Sequence, residues 1–109
     1  MSDTISIRVR DFTRTPGARY RTDGDYSGEE YRETILQPAY DEAVAKDVGL
    51  LVDLDGTEGY ATSFLEEAFG GLARVYGSKA VAERVRVKAT DEPFLATEVA
   101  HYIADAENQ

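Results

Sequence analysis

The segment that most constrains the fold is "GLLVDLDG", residues 49–56, a largely apolar run that Asp55 and Gly56 close. Runs of this kind are typical of a central strand that is covered on both faces. The residues after it place apolar side chains on one helical face: Phe64, Leu65, Ala68, Phe69, Leu72, Val75 and Tyr76. A buried strand followed by an amphipathic helix indicates an α/β fold.

The N-terminal residues predict a hairpin at the edge of that sheet. In "TISIRVRDF", residues 4–12, apolar and polar side chains alternate, which is the period of a half-buried strand ending near Phe12. Pro16 and Gly17 predict a turn, and "ARYRT", residues 18–22, a second short strand. The two strands would pair as an antiparallel hairpin.

Two predicted helices begin with a capping box, a motif in which a serine or threonine is followed three residues later by a glutamate. Ser27 and Glu30 start the first helix. Ser63 and Glu66 start the second helix, and Gly77 is expected to end it.

A proline interrupts the first helix, and a third helix closes the chain. Pro38 lacks an amide donor, so we expect a kink or break near Gln37. Residues 78–90 predict a short helical turn and then a strand, and residues 91–109 predict a last helix with Pro93 in its first turn. The strand is expected to run through Val85, Val87 and Ala89.

The order of these elements predicts a single α/β domain over residues 1–109. Its sheet is expected to be mostly parallel and four-stranded, with the N-terminal hairpin at the edge and about three main helices. There are no cysteines, which suits a reducing compartment. The first residues lack an apolar stretch of signal-peptide length, and no run approaches a membrane span. We therefore expect a cytoplasmic protein that does not enter a membrane.

Charge is distributed unevenly along the chain. The net charge of −9 argues against binding to nucleic acid, because basic patches supply most of that affinity. Residues 1–21 nevertheless hold five arginines against two aspartates, a local sum of +3. Such asymmetry is typical either of a solvent-facing basic strand or of a site for a phosphate or an acidic partner.

Catalytic and metal-binding patterns are weak. The glycines near residue 56 lack the spacing of a phosphate-binding loop or a dinucleotide fingerprint, and His101 is the only histidine. Asp53 and Asp55 share a strand face and could hold Mg²⁺, although two acids at a strand end are common without a metal. We therefore expect no enzymatic activity, no cofactor and no metal site.

The candidate binding residues follow the strands, because ligands bind outside the carboxyl ends of strands in an open α/β sheet. They are Arg19, Arg21, Asp25, Tyr26, Ser27, Gly28, Glu29, Asp55 and Gly56. Thr62 and Ser63 lie where the second helix should begin. A hydroxyl there serves as a helix cap or as an acceptor for a phosphate that the helix dipole favours, and the sequence leaves both interpretations open.

Four motifs of this chain occur together in one protein family. They are Gly17-Ala18-Arg19, Tyr26-Ser27-Gly28-Glu29, Leu36-Gln37-Pro38-Ala39 and the segment from Ser63 to Leu72. In these motifs the chain resembles the bacterial STAS-like domain family of unknown function, over residues 16 to about 74. The resemblance implies a fold similar to the STAS domains of anti-sigma-factor antagonists and sulfate transporters.

The resemblance also implies a function. Anti-sigma-factor antagonists bind a histidine-kinase-like ATPase and are inactivated when a serine at the start of the second helix is phosphorylated. Aligned on that helix, Thr62 and Ser63 retain the hydroxyls, whereas Ala61 replaces an aspartate and Phe64 a glycine. The expected function is a non-catalytic regulatory module that binds a protein partner, and a homodimer is compatible with it.

An alternative follows from the residues alone. The two arginines of the hairpin, Arg19 and Arg21, and the helix N-termini could form a small nucleotide- or phosphate-binding domain.

Overall fold

A computed structural model gives the structure of the protein and describes residues 3–106. Three strands form one parallel sheet: β1 (Thr4–Arg8), β2 (Gly49–Asp53) and β3 (Val85–Lys88), in the order β1-β2-β3. The apolar run at residues 49–56 therefore supplies the central strand, as predicted.

Four helices accompany the sheet within residues 3–106. Helix α1, residues 28–46, consists of Gly28–Tyr31, a π-helical segment Arg32–Leu36, and Gln37–Lys46. Helix α2, residues 62–76, consists of Thr62–Leu65, a π-helical segment Glu66–Gly70, and Gly71–Tyr76. Helix α3 (Ser78–Arg84) precedes β3, and helix α4 (Phe94–Asp105) follows it. Short 3₁₀ turns occupy Val9–Asp11 and Arg21–Asp23. None of the helices in the described range is long and apolar enough to cross a membrane.

The helices cover one face of the sheet. The strand register places two apolar rows on that face, Ile5-Leu50-Val85 and Ile7-Val52-Val87. Helix α1 contacts β1 and β2, and helices α3 and α4 contact β3. On the other face Arg86 and Lys88 are exposed and Leu51 is only partly covered. The expectation that β2 is covered on both faces is therefore wrong.

The predicted hairpin does not form, so the sheet of the described residues has three strands rather than four. Residues 13–20, here called the strap, cross the carboxyl edge of the sheet instead. The strap carbonyls accept hydrogen bonds from two helix starts: Pro16 from Ala61 at 3.0 Å, Ala18 from Gly28 at 2.9 Å and Arg19 from Glu29 at 2.9 Å. Amides at the start of a helix have no hydrogen-bond partner inside the helix. Here they donate to the strap carbonyls, so the strap bonds to the helix starts and not to a neighbouring strand.

Pro38 does not break α1. The amide of Gln37 donates to the carbonyl of Arg32, so the helix widens into a π turn just before the proline. The wider turn relieves the clash between the proline ring and the preceding turn. Near Gln37, where a kink or break was predicted, the helix forms this π-helical segment and then continues to Lys46.

One of the two predicted capping residues is confirmed. Ser27 is the N-cap of α1, and its hydroxyl accepts a hydrogen bond from the amide of Glu30 at 3.0 Å. The capping box at Ser63 is wrong, because α2 begins two residues earlier than it predicts, with Ala61 as its N-cap. The hydroxyl of Ser63 donates instead to the carbonyl of Gly17 in the strap, at 3.3 Å.

The other predicted boundaries lie close to the observed ones. Gly77 ends α2 with a φ of 101°, a conformation that favours glycine. Strand β1 ends at Arg8 rather than near Phe12, and β3 ends at Lys88 rather than at Ala89. Pro93 is the N-cap of α4 rather than a residue of its first turn.

Helices α1 and α2 are in close contact near their N-termini. Gly28 is buried, and a Cβ atom at this position would lie only 2.6 Å from the carbonyl oxygen of Phe64. One turn further, the fully buried rings of Tyr31 and Phe64 lie 6.0 Å apart. The missing side chain of Gly28 therefore sets the distance between the two helices.

We expect Gly28→Ala to destabilise the protein by about 1–3 kcal/mol, because the added methyl must push the α2 backbone away. Urea unfolding followed by circular dichroism measures the effect. Gly17→Ala is the matched control: the nearest atom to its Cβ is 3.8 Å away. We expect this control to change the free energy of unfolding by less than about 0.5 kcal/mol. Equal effects of the two substitutions would contradict the close helix contact.

Candidate functional site

The loops that follow the strands meet at the carboxyl edge of the sheet, where side-chain carboxylates organise them. Arg10 donates to the carboxylate of Asp53 and to the carbonyl of Asp55, both at 3.1 Å. The carboxylate of Asp55 accepts from the amide of Asp91 at 2.9 Å, and that of Asp91 accepts from the amide of Gly56 at 3.0 Å. These carboxylates therefore join the loops after β2 and β3.

The same contacts bear on the magnesium alternative. Asp53 accepts the amide of Asp55 at 2.9 Å and lies 3.9 Å from the Lys88 ammonium. Burial alone would raise the pKa of Asp53, but the Asp55 amide and Arg10 together hold it below its usual value. In residues 3–106 no three histidine, cysteine or acidic side chains converge in a way that could hold a metal ion.

Thr62 and Ser63 both lie in the first turn of α2 at this edge. Thr62 is exposed, and Ser63 is partly covered by the strap. Burial raises the pKa of the neighbouring Tyr102, and a hydrogen bond with the Thr62 side chain acts in the opposite direction. The Thr62 side chain therefore lies next to Tyr102 of α4, and the neighbouring Ser63 lies next to the strap.

Behind these hydroxyls lies a set of ion pairs, here called the arginine–glutamate cluster. Its members are Arg19, Arg32, Glu66, Glu67 and Arg74. Glu66 accepts from Arg19 at 2.5 Å and from Arg74 at 2.8 Å. Glu67 accepts from Arg32 at 3.0 Å, and its side chain is only 8% exposed. The cluster thus links the strap to both α1 and α2.

The electrostatic balance within the cluster favours the charged forms. Burial would raise the pKa of Glu66, but hydrogen bonds from Arg74 and Arg19 hold it below its usual value. The hydrogen bond with Glu66 is the main reason that the pKa values of Arg19 and Arg74 are raised. Glu66 therefore stays ionised at neutral pH between two guanidinium groups.

The two π-helical segments supply the central residues of the cluster. Arg32 begins the π segment of α1, and Glu66 and Glu67 begin that of α2. Gly71 makes room for the guanidinium, because a Cβ at this position would lie 2.5 Å from Nε of Arg32. π-Helical turns are rare and occur frequently at functional sites. The sequence reasoning missed this cluster; its one signal was the pair of adjacent glutamates followed by two glycines.

The other predicted site residues divide between surface and interior. Asp25 and Tyr26 are exposed in the loop before α1, whereas Ser27 and Gly28 are buried and serve the helix start. The exposed guanidinium of Arg21 pairs with Glu33 at 3.0 Å. Its amide donates to the carboxylate of Glu29 at 2.9 Å. The loop before α1 therefore contributes Asp25 and Tyr26 to the surface.

Exposed aromatic side chains border the same edge. Tyr20 is 45% exposed, Tyr26 54% and Phe94 55%. Tyr20 lies at the end of the strap under the Arg19 guanidinium, 5.9 Å from it, and the Tyr26 ring packs on Phe12 at 5.3 Å. Exposed aromatic residues are enriched at protein–protein interfaces. Together with the exposed Thr62 in the first turn of α2, these residues form the candidate functional site.

Comparison with known proteins identified one family. A family model described as "STAS-like domain of unknown function (DUF4325)" matches residues 27–94, which include α1, α2, α3, β2 and β3. Searches of the curated proteins and of the solved structures gave no significant match.

We expect Glu67→Gln to destabilise the protein by about 3 kcal/mol, because it leaves the charge of Arg32 buried without its carboxylate. Glu33→Gln is the control: it breaks the exposed pair with Arg21 and should cost less than about 1 kcal/mol. Chemical unfolding at neutral pH measures both. A cost for Glu67→Gln no larger than that for Glu33→Gln would contradict a buried ion pair.

The lowered pKa of Glu66 predicts acid sensitivity. A carboxylate whose pKa is lower in the folded state than its ordinary value of 4.5 stabilises the fold above that value. This stabilisation is lost as the pH falls through the lower folded value. Glu66→Gln should therefore be less stable than the wild type at about pH 7, and the gap should narrow as the pH falls below about 4. Urea unfolding over this pH range measures the gap, with the exposed Glu58→Gln as control. A gap independent of pH would contradict the prediction.

Proposed function

Because this chain belongs to the family of STAS-like domains of unknown function, we propose that it is a non-catalytic regulatory module that binds a protein partner. The binding surface is the carboxyl edge of the sheet, with Tyr20, Tyr26, Thr62 and Phe94. The observation that carries the proposal is that Thr62, in the first turn of α2, is exposed at the edge to which the segments carrying the exposed aromatic side chains also belong.

The proposed partner is a histidine-kinase-like ATPase, in line with the resemblance to anti-sigma-factor antagonists. Exposed aromatic residues supply apolar contact area, and a phosphate on the exposed Thr62 would add charge to the same edge. A phosphate adds nearly two negative charges at neutral pH. Charge introduced into an apolar contact surface must lose its hydration when a partner binds, so the phosphorylated form would lose its partner. The proposal places the protein in the cytoplasm, where such a kinase has access to ATP.

The alternative phosphate-binding function has less support from the contacts. Arg19 is engaged with Glu66 and Arg21 with Glu33, so both guanidinium groups already have carboxylate partners. A phosphate would first have to displace one of these carboxylates. A calorimetric titration with ATP and with inorganic phosphate tests this alternative, and we expect no heat of binding.

The first test of the proposal is partner capture with matched variants. We expect the wild-type protein to capture an ATPase-type kinase from extracts of its native host, as identified by quantitative mass spectrometry. Thr62→Glu places a charge on the proposed surface and should lower the recovery of that kinase by about tenfold. Thr4→Glu adds the same charge at an exposed position at the start of β1, at the opposite end of the sheet, and should not change the recovery. Equal recovery with both variants, or no ATPase with the wild type, would contradict the proposal.

The modification itself has a separate readout. Intact-mass spectrometry of the protein from its native host, with peptide mapping over residues 57–74, should reveal a population heavier by one phosphate at Thr62 or Ser63. An unmodified segment across growth and stress conditions would leave partner binding intact as a proposal and remove the phosphate switch.

A further inference from the structure

Strand β3 forms an open edge of the sheet, and an apolar groove lies beside it. In the described part of the chain β3 pairs only with β2. The groove has a volume of about 320 Å³ and lies between β3, α3 and α4. It is lined mainly by apolar side chains, among them Ala82, Val85, Val87, Ala96, Val99 and Ala100.

The main chain of β3 is oriented for a further strand. The carbonyl of Lys88 accepts the amide of Leu54, next to β2, at 2.8 Å. In a parallel ladder alternate residues bond to the same neighbour, so the amide and carbonyl of Val87 point toward the open edge. The carbonyl of Val85 also points outward, but the guanidinium of Arg86 donates to it at 3.0 Å. An added strand would therefore pair first at Val87.

Side chains of an added strand would meet two different surfaces. Those pointing toward the helices would enter the groove, whose floor is open because Ala82, Ala96 and Ala100 are small and exposed. Those pointing to the open face of the sheet would lie beside the exposed Lys88, whose ammonium is 3.9 Å from the Asp53 carboxylate. They would also lie within reach of the exposed Arg86, whose guanidinium crosses the edge and donates to the carbonyls of Ala82 and Val85 at 2.9 and 3.0 Å. The edge thus favours a segment in which apolar and acidic side chains alternate.

A second copy of the chain does not fit this edge. Antiparallel pairing of β3 with itself that keeps Val85 and Val87 in the groove places Arg86 opposite Arg86 or opposite Lys88. Like charges directly opposite each other destabilise a strand pair. Charge complementarity therefore selects a different, acidic partner.

We propose that the open edge of β3 and the groove beside it bind an extended peptide segment of a partner protein in which apolar and acidic residues alternate. The segment adds a fourth strand to the sheet. This surface includes none of the four residues named for the proposed function, Tyr20, Tyr26, Thr62 and Phe94, so the two inferences stand or fall separately.

A designed peptide tests this inference. The probe is a short fluorescein-labelled peptide in which valine alternates with glutamate, and the comparison peptide carries lysine in place of glutamate. Fluorescence anisotropy should show binding of the glutamate peptide that is about tenfold tighter than binding of the lysine peptide. The double variant Arg86→Glu/Lys88→Glu should invert this preference. Arg8→Glu, which reverses an exposed charge on the opposite edge strand, should change the affinity by less than about twofold.

A substitution that fills the groove tests whether the groove takes part in peptide binding. Ala100→Trp fills it from an exposed position, so the fold should persist by circular dichroism while binding of the glutamate peptide weakens by about tenfold or more. Equal binding of both peptides, no binding of either, or full binding by Ala100→Trp would overturn the proposal. A wild-type dimer that light scattering detects and that Ala100→Trp dissociates would also overturn the proposal, because the groove would then bind a second copy of the chain.

Discussion

The contact between α1 and α2 is the constraint on which the rest of the fold depends. A sheet of three short strands that is covered on one face offers little area, so the helices must bury much of their apolar surface against each other. Gly28 permits this by letting the backbone of Phe64 approach it directly. Once the helices are this close, Tyr31 is fully enclosed between Phe12 and Phe64, and the strap can bind the first amides of α1. The helix contact therefore determines the position of the carboxyl edge as well as the core.

Most of the arginines that make the N-terminal segment basic form ion pairs with carboxylates of the same chain. Four of the five arginines in residues 1–21 pair with carboxylates in the structure, and three of those carboxylates lie far along the sequence. The pairs are Arg8–Asp11, Arg10–Asp53, Arg19–Glu66 and Arg21–Glu33. In this acidic protein, the ion pairs of the basic N-terminal segment hold that segment, including part of the strap, against the rest of the fold. Charge asymmetry between parts of a sequence is therefore ambiguous, because a folded partner within the same chain satisfies it as well as an external ligand does.

The sequence predicted what depends on local periodicity and missed what depends on distant contacts. The central strand, the helices and the cap at Ser27 follow from patterns a few residues long, and all are present. The hairpin failed because Gly28, Glu29 and Ala61 offer amides to the strap, and no local pattern reports those partners. The cap at Ser63 failed for the same reason, since its hydroxyl binds Gly17 of the strap. The arginine–glutamate cluster was missed because it joins three segments that are separate in the sequence.

The polar character of that cluster has a structural consequence. Apolar side chains of similar volume often stabilise a buried site as much as an ion pair does, but they tolerate several arrangements of the helices. The pair between Arg32 and Glu67 requires specific geometry, because either charge left alone in the interior is costly. Glu66 imposes the same requirement on Arg19 and therefore on the strap. Since Thr62 lies one turn before Glu66 on α2 and Tyr20 follows Arg19, the cluster ties the helix turn that carries Thr62 to the end of the strap that carries Tyr20. The ion pairs near the carboxyl edge thus tie the strap to both helices, and such an ordered surface would lower the entropy cost of the partner binding that we propose.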